Sequence, residues 1–553
     1  MSRVLLVSYP GYPSTPAHLV ANHWLAGNAG ALLAAGHEVR VVDFGTVSMM
    51  RRLFPEQITT QLKPLAAEMM SGTRGPDTAQ LARLQEWSHA IEAHQSETVE
   101  QLARELVTHV RGWQPDVVAF ELSDGDGYRG SVHMARRLRD ALPGVHITAG
   151  GRKAAWFRAL LLRASSAFDT IIYGDPEPAL TGLAGLQAER SLESIPGIVY
   201  RTGDQTAEMP RDDALDLDAL AMPEYDTDVY PAMGEDEKIK MAVLTDSRGC
   251  PNRCAFCVHP MEDGGKQRLA SPGRIVDTMQ EMQQRWGMSV FRLGGSSTPG
   301  ELMHQIAEEI LRRGLRVQYN SFGHFRSSNS RHFETLARSG LYSLFFGLES
   351  GSQQILDRAV HKGIRLEAAA ETIKAAQAAG IFAAASMIVP LPFDTEETLA
   401  ESLEFVKRVR PDAVPLQFPG VFPGTRWIEE PEKYGIEIDD VEQYLLDNLD
   451  YRVKLLFPPQ FWDPLPYRIN GMDFARLTAV TMRFASQLEA AGLLTNLSHT
   501  LAAIAHSADM EPRRLRDMSQ LWCVTGDAES MGGMVARANA AMVEALNCAH
   551  RGR

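Results

Sequence analysis

The sequence predicts an α/β chain made of two successive strand–helix series and a helical end. Three observations carry this. Short apolar runs alternate with helical periods over the first ~180 residues, a second alternation runs from about 240 to 430, and the strand signal stops near 431. A chain of 553 residues exceeds one ordinary core, so several domains are expected. The divisions are residues 1–184, a connector at 185–238, residues 239–430 and residues 431–553.

In the first series the strand candidates are Val4–Val7, Val39–Val42, Val117–Phe120, His146–Thr148 and Thr170–Tyr173. Gly30 to Ala35 and Val132 to Ala141 carry helical patterns between them. Turn residues follow the strands at Tyr9-Pro10-Gly11, Ser123–Gly127, Gly150-Gly151 and Gly174-Asp175-Pro176. This order predicts a doubly wound, Rossmann-like parallel sheet whose ligands sit at the carboxyl ends of its strands. Residues ~45 to 110 form a helical insertion between the second and third strands. In the connector, Ile198-Val199-Tyr200 followed by Gly203-Asp204 suggests a small hairpin.

The second series offers Ala242–Asp246, Val290–Leu293, Val317–Ser321, Leu344–Leu348, Phe382–Val389 and Val414–Phe418. The clearest helix between them is Thr395–Val409, with Asp394 as its expected N-cap and Glu397 three residues on. Six βα units are too few for a closed eight-stranded barrel, so an open, partial (β/α)6 barrel is expected, with its site at the carboxyl ends of the strands. Beyond it, Phe474, Leu477, Thr481, Phe484, Leu488 and Ala491 recur at helical spacing, and Met531 to Ala549 reads as a further helix. That stripe is core packing, and the C-terminal module is helical.

Hydrophobic residues at 44% and charged residues at 22% describe a globular chain. The longest apolar stretches, such as Ile381 to Leu391, fall short of the ~20 residues of a membrane span. The run Val4–Val7 reads as a strand and not a secretory signal, so a cytoplasmic enzyme with no membrane partner is expected. Net charge is −14, from 55 Lys+Arg and 69 Asp+Glu, and no long basic run is present, which argues against a nucleic-acid partner. The 16 histidines form no ligand pattern, and the 23 methionines read as packing.

The segment Ser247-Arg248-Gly249-Cys250-Pro251-Asn252-Arg253-Cys254-Ala255-Phe256-Cys257 directly follows the first strand of the second series. Of five cysteines, three crowd here, whereas Cys523 and Cys548 lie in the helical module. Three thiolates spaced C-x3-C-x2-C can hold three irons of a cubane cluster and leave the fourth open to a substrate ligand. The competing reading is a zinc site completed by His259, but the single residue between Cys257 and His259 strains a tetrahedron.

This loop resembles the radical S-adenosylmethionine (radical SAM) superfamily, whose hallmark is this spacing with an aromatic residue before the last cysteine, here Phe256. Phe346-Gly347-Leu348-Glu349-Ser350-Gly351-Ser352 resembles that family's strand end, which contacts the methionine or ribose part of the cosubstrate, making Glu349 and Ser350 candidates. Gly294-Gly295 stands where the methionyl amino group is held, although Ser296 replaces the acid many members carry there. Gly424-Thr425, after the last strand, is similar to the family as well. The resemblance implies that S-adenosylmethionine chelates a 4Fe–4S cluster on Cys250, Cys254 and Cys257. One electron then splits its sulfonium carbon–sulfur bond, and the resulting 5′-deoxyadenosyl radical takes hydrogen from an unactivated carbon. A one-electron donor such as flavodoxin or ferredoxin is implied too.

The N-terminal sheet and connector, with Ile195–Tyr200 and Leu220-Ala221-Met222-Pro223, resemble the cobalamin-binding branch of the superfamily. A D-x-H-x-x-G signature is absent, as is usual in that branch. The candidate corrin and tail contacts are Tyr9, Gly11, Ser123, Gly125, Gly150, Gly151, Gly174 and Glu177, where glycine lets a ligand approach backbone closely. A sheet that only buttresses the barrel is the alternative. Tyr319, His324 and Arg326 follow the third barrel strand and are the candidate catalytic residues by position.

With these cofactors the expected function is methyl transfer from S-adenosylmethionine, by way of methylcobalamin, to a carbon or phosphorus of a small molecule. A radical rearrangement or cyclisation is the alternative, and a cobalamin or redox sensor is the non-enzymatic one. Methylthiolation of transfer RNA is disfavoured because no second cysteine trio and no terminal RNA-binding barrel is present. Cys254→Ala is expected to abolish cluster absorbance after anaerobic reconstitution, and deoxyadenosine formation with it, while corrin binding persists. Full activity in that variant would remove the cluster from the mechanism.

Overall fold

Five short apolar runs assemble as a parallel sheet in the computed structural model, which describes residues 1–70, 77–186 and 191–547. Strands β1 (Arg3–Ser8), β2 (Glu38–Asp43), β3 (Val117–Glu121), β4 (His146–Gly150) and β5 (Thr170–Ile172) lie in the order β2-β1-β3-β4-β5. Leu5 pairs with Arg40 on one side and with Val118 on the other. Val4 to Val7 are wholly buried, as expected of a parallel strand with helices on both faces.

The connector hairpin does not stand apart. Its strands β6 (Ile198–Thr202) and β7 (Gln205–Glu208) extend this sheet antiparallel beyond β5, because Ile198 and Val199 need a covered face. The insertion after β2 is helical, with Glu56–Met70 and Thr78–Trp113 its long members. Asp77 and Gln80 form a capping box at the start of the latter. The connector returns to the first sheet through Lys238, whose Nζ lies 2.6 Å from Asp43 Oδ2 and donates to Gly45 O at 2.8 Å. Both side chains are buried, and Tyr230 donates to the same carboxylate.

The second sheet holds β8 (Met241–Leu244), β9 (Val290–Leu293), β10 (Gln318–Gly323), β11 (Leu341–Glu349), β12 (Phe382–Ile388) and β13 (Leu416–Gln417). All are parallel, in sequential order, and the end strands do not pair, so the barrel is open. Helix Glu396–Val409 is capped by Thr395 rather than Asp394. The Asp394 carboxylate instead accepts from Leu391 N and Thr398 Oγ1, each at 2.7 Å, and so belongs to the preceding turn.

The two faces of the barrel sheet bury different partners. Phe291 and Leu293 share a core with Met279, Ile306 and Val406 of the outer helices. Met241, Val290, Phe345 and Ala384 share one with Leu501, Ala503 and Ile504. Helix His499–Ser507 therefore fills the barrel's inner face, and Asn320 Nδ2 donates to His499 O at 3.1 Å. Helices Pro512–Thr525 and Ala528–Asn547 pack on the insertion helices Glu56–Met70 and Val47–Arg52. The stripe of Phe474, Leu477, Phe484 and Leu488 is buried core. Cys548 and Ala549 lie outside the described residues. Among the described residues no helix is long and apolar enough to cross a membrane.

Helix His23–Ala34 presses against the connector at Gly30, where a Cβ would stand 1.9 Å from Met222 O. Gly30→Ala is expected to cost about 1–3 kcal/mol through this overpacking. The check is a lower urea midpoint at unchanged slope.

Candidate functional site

The cysteine loop is built on a buried carboxylate. Asp246, just past β8, accepts from Gly295 N at 2.7 Å, Thr298 Oγ1 at 2.8 Å and Ser247 Oγ at 3.0 Å, so the ends of β8 and β9 are tied together. Burial raises its pKa against the hydrogen bonds that lower it. Gly295 is required here: a Cβ would stand 2.0 Å from Ser247 Oγ. Gly249 has φ +81°, and its Cβ would meet Lys266 O at 1.9 Å. Further along, Ala255 N donates to Val360 O at 2.9 Å, and Phe256 packs on Trp427 with ring centres 5.9 Å apart.

Cys250 is buried, while Cys254 and Cys257 are part-buried. Burial pushes the Cys254 thiol up to about 11 and the Cys257 thiol up to about 12. The neighbouring thiols raise both further, and Lys362 opposes the rise. Asn252 Nδ2 lies 3.4 Å from Cys250 Sγ, and the backbone of His259 hydrogen-bonds to Cys257. Three thiols on one loop could serve as donors to an iron–sulfur cluster. The His259 ring turns elsewhere, with Nδ1 2.8 Å from Glu262 Oε2 and 3.0 Å from Ser296 Oγ.

The strand end Gly347–Ser352 closes beside this loop. Glu349 has φ +69° and follows an irregularity in the ladder. Lys362 Nζ donates to Glu349 Oε1 and Gly347 O, each at 2.7 Å. Ser350 Oγ accepts from Ser352 N at 3.1 Å and lies 3.2 Å from Ser402 Oγ, so it is held by protein. His324 Nδ1 accepts from Arg326 N at 3.1 Å, and its Nε2 is buried without a partner among the described residues. Burial, then Lys362 and Arg326, lowers the His324 pKa to about 4, so the ring is neutral at pH 7. Arg326 is exposed and passes Gly363, where a Cβ would stand 3.3 Å from its Nη1.

Tyr319 is displaced from the role expected of it. It lies near the start of β10, fully buried, with its hydroxyl 2.7 Å from Ser339 Oγ. Its place at the amino end of the strand turns it away from the chemistry.

The carboxyl ends of both sheets open onto one cavity of 270 Å³. Its walls include Gly151, Gly174 and Glu177 from the first sheet, and Arg248, Gly294 and Ser296 from the barrel. The other first-sheet candidates lie elsewhere. Tyr9 is buried against Gly130, Gly11 backs onto Gly127 N, and Gly150 lies under Trp24. Ser123 and Gly125 line a second cavity, because the segment around Tyr451 crosses their loop and Gly125 N donates to Leu449 O at 2.8 Å. Glu177 is occupied as well: Arg248 Nη2 donates to its Oε1 at 2.6 Å and Nη1 to its Oε2 at 3.0 Å. Arg248 also takes Asp175 Oδ1 at 2.5 Å.

Sequence reasoning missed Asp246, Arg248, Lys362 and the helix residues His23, Trp24 and Gly27 that line the main cavity. Arg248 had a signal in its place two residues ahead of Cys250; Lys362 had none. Lys362→Met leaves Glu349 as an unpaired buried carboxylate and is expected to cost about 3–5 kcal/mol. Adding Glu349→Gln is expected to restore most of that loss in thermal unfolding, the coupling being read as a double-mutant cycle.

Comparison with known proteins places these features. A family model described as the radical SAM superfamily matches residues 244–406. The chain is 25% identical to an uncharacterized methyltransferase of Pyrococcus horikoshii, over 65% of this chain and 79% of that protein. It is likewise 25% identical to the hopanoid C-3 methylase of Methylococcus capsulatus, over 62% of this chain and 63% of that protein. In three dimensions it is similar to TsrM of Kitasatospora setae, a radical S-adenosylmethionine methyltransferase solved with cobalamin and a [4Fe-4S] cluster. The TM-score is 0.64 at 15% identity, covering 96% of this chain and all of that one. Residues 244–406 therefore match a radical SAM domain, and the chain as a whole shares the fold of TsrM, with a doubly wound sheet, an open barrel and a helical module.

Proposed function

We propose that this chain is a cobalamin-dependent radical SAM methyltransferase that alkylates an unactivated carbon, or a phosphorus, of a small molecule. The observation that carries the reading is the shared cavity, where the ligand-binding edge of a doubly wound sheet faces the mouth of a radical SAM barrel. The residues present fit both cofactors. Cys250, Cys254 and Cys257 would hold the cluster, with the Lys362 ammonium beside them to offset thiolate charge. Gly27 lines the cavity with open space where a Cβ would stand, so a broad ligand meets bare helix backbone there.

Once bound, the cluster supplies an electron to S-adenosylmethionine and cobalamin supplies methyl carriage. The chain's own residues do the rest. Asp246 holds the Gly294-Gly295 backbone in place for the methionyl end of the cosubstrate. Glu349, held by Lys362, stands at the end of β11. Neutral His324, whose Nε2 has no partner among the described residues, and Arg326 would orient substrate from the end of β10. The surrounding protein excludes water from a reactive intermediate. We place the reaction in the cytoplasm, with a flavodoxin or ferredoxin as one-electron donor.

The test is anaerobic reconstitution with iron, sulfide and cobalamin, followed by mass spectrometry of reactions with trial substrates. Deoxyadenosine formation together with a product heavier by one methyl group is expected. A product of unchanged mass would replace methyl transfer with rearrangement. Failure to form deoxyadenosine or methylated product from any substrate that binds would overturn the reading.

A further inference from the structure

Inside the barrel stands a guanidinium without a counter-charge. Arg292 faces Val243 across one ladder and Asn320 across the other. Val243 lines the main cavity, as does Gly294, two residues on from Arg292 along the same side of β9. Arg292 therefore lies one step beneath the cavity wall, on the inner face of the barrel. It makes no ion pair among the described residues, and its Nε is buried without a partner. Among the described residues its guanidinium makes one hydrogen bond, from Nη1 to Nε2 of His499, on the helix that fills the barrel.

The groups around it do not supply the missing charge. Arg152 and His23 approach from the first domain, His499 from the C-terminal module, and Tyr342 and Asp246 from the barrel. Asp246 is the only carboxylate among these, and its oxygens already accept from Gly295, Thr298 and Ser247. His23 and His499 are neutral: burial first, then Arg292, lowers each to about 3. Arg292 is itself lowered to about 10, by burial and then by Arg152, and so stays charged at neutral pH. A chain of net charge −14 has thus placed a cation with no ion-pair partner among the described residues one step from the wall of its main cavity. A buried charge left unpaired is costly, and an oxyanion from outside would complete it.

We infer that Arg292 is the specificity residue of an oxyanion subsite, and that the substrate carries a carboxylate or phosphate directed into the barrel beneath the cavity. The inference deepens the proposed function by naming a feature of its substrate. It rests on that reading only in taking the cavity as the way in.

The test uses the full chain and two probes, inorganic phosphate and acetate, titrated calorimetrically at constant ionic strength against chloride. Saturable binding of at least one probe is expected, weakened about tenfold or more in Arg292→Gln, as for the loss of one partner of a buried charge pair. Arg292→Lys, which keeps the charge, is expected to bind within severalfold of wild type, and Arg408→Gln, an exposed cation far from the cavity, to match it. Lack of saturable binding in the wild type, or equal binding in a folded Arg292→Gln, overturns the subsite. S-adenosylmethionine titrated into the same variants separates the two sources of a carboxylate. Unchanged affinity in Arg292→Gln assigns the subsite to the substrate, and a parallel loss assigns it to the cosubstrate and overturns the inference. None of these readouts needs turnover, so failed methyl transfer and a failed subsite are distinguishable.

Discussion

The geometry of the site depends on one buried ion cluster between the two sheets. Asp175 and Glu177, just past β5, hold Arg248, two residues ahead of Cys250. Arg268 shares Asp175 and adds Asp263 at 2.5 Å. The side chains involved are only 9 to 18% exposed. At such burial, desolvation competes with attraction, and a pair holds only when its geometry is good. The fork of Arg248 meets both oxygens of Glu177, which meets that requirement. The same cluster joins the first sheet to the barrel mouth and fixes where the cysteine loop stands. Losing one partner would strand a buried charge, so the two halves of the site are coupled energetically as well as spatially.

Charge is distributed around the cavity in a way the net charge hides. Glu177 and Asp175 are consumed by arginines, Glu349 by Lys362, and Asp246 by backbone and hydroxyl donors. Among the described residues, Arg292 has no acid partner, and the rings of His23, His324 and His499 are neutral. At Cys254 and Cys257 burial outweighs the attraction of Lys362, so a bound metal would have to displace their protons. An interior with few free carboxylates suits an anionic ligand better than a cationic one.

The helical module does more than cap the chain. Its helix His499–Ser507 takes the inner face of an open sheet that has too few strands to fill itself, and its later helices lean on the insertion from the first domain. The three parts thus share cores, and the barrel floor is finished by residues more than 170 positions from the strands they meet, as His499 is from Asn320.

Much of this was legible locally. Both parallel sheets, the insertion, the open barrel and the cysteine loop follow from apolar periodicity, turn residues and ligand spacing, which act over a few residues and leave their mark in the sequence. Other features were settled only by long-range packing: the hairpin at Ile198–Glu208 joining the first sheet, Tyr319 buried against Ser339, and the division of the glycine loops between two cavities. The same holds for Lys362 on Glu349 and for Arg292 without a partner. A charge becomes paired or stranded according to what the fold sets opposite it, and distant residues meet without any local pattern to announce it. The sequence by itself determined the elements and the cysteine spacing; the tertiary structure decided which side chains face the cavity, because facing is a property of two surfaces brought together.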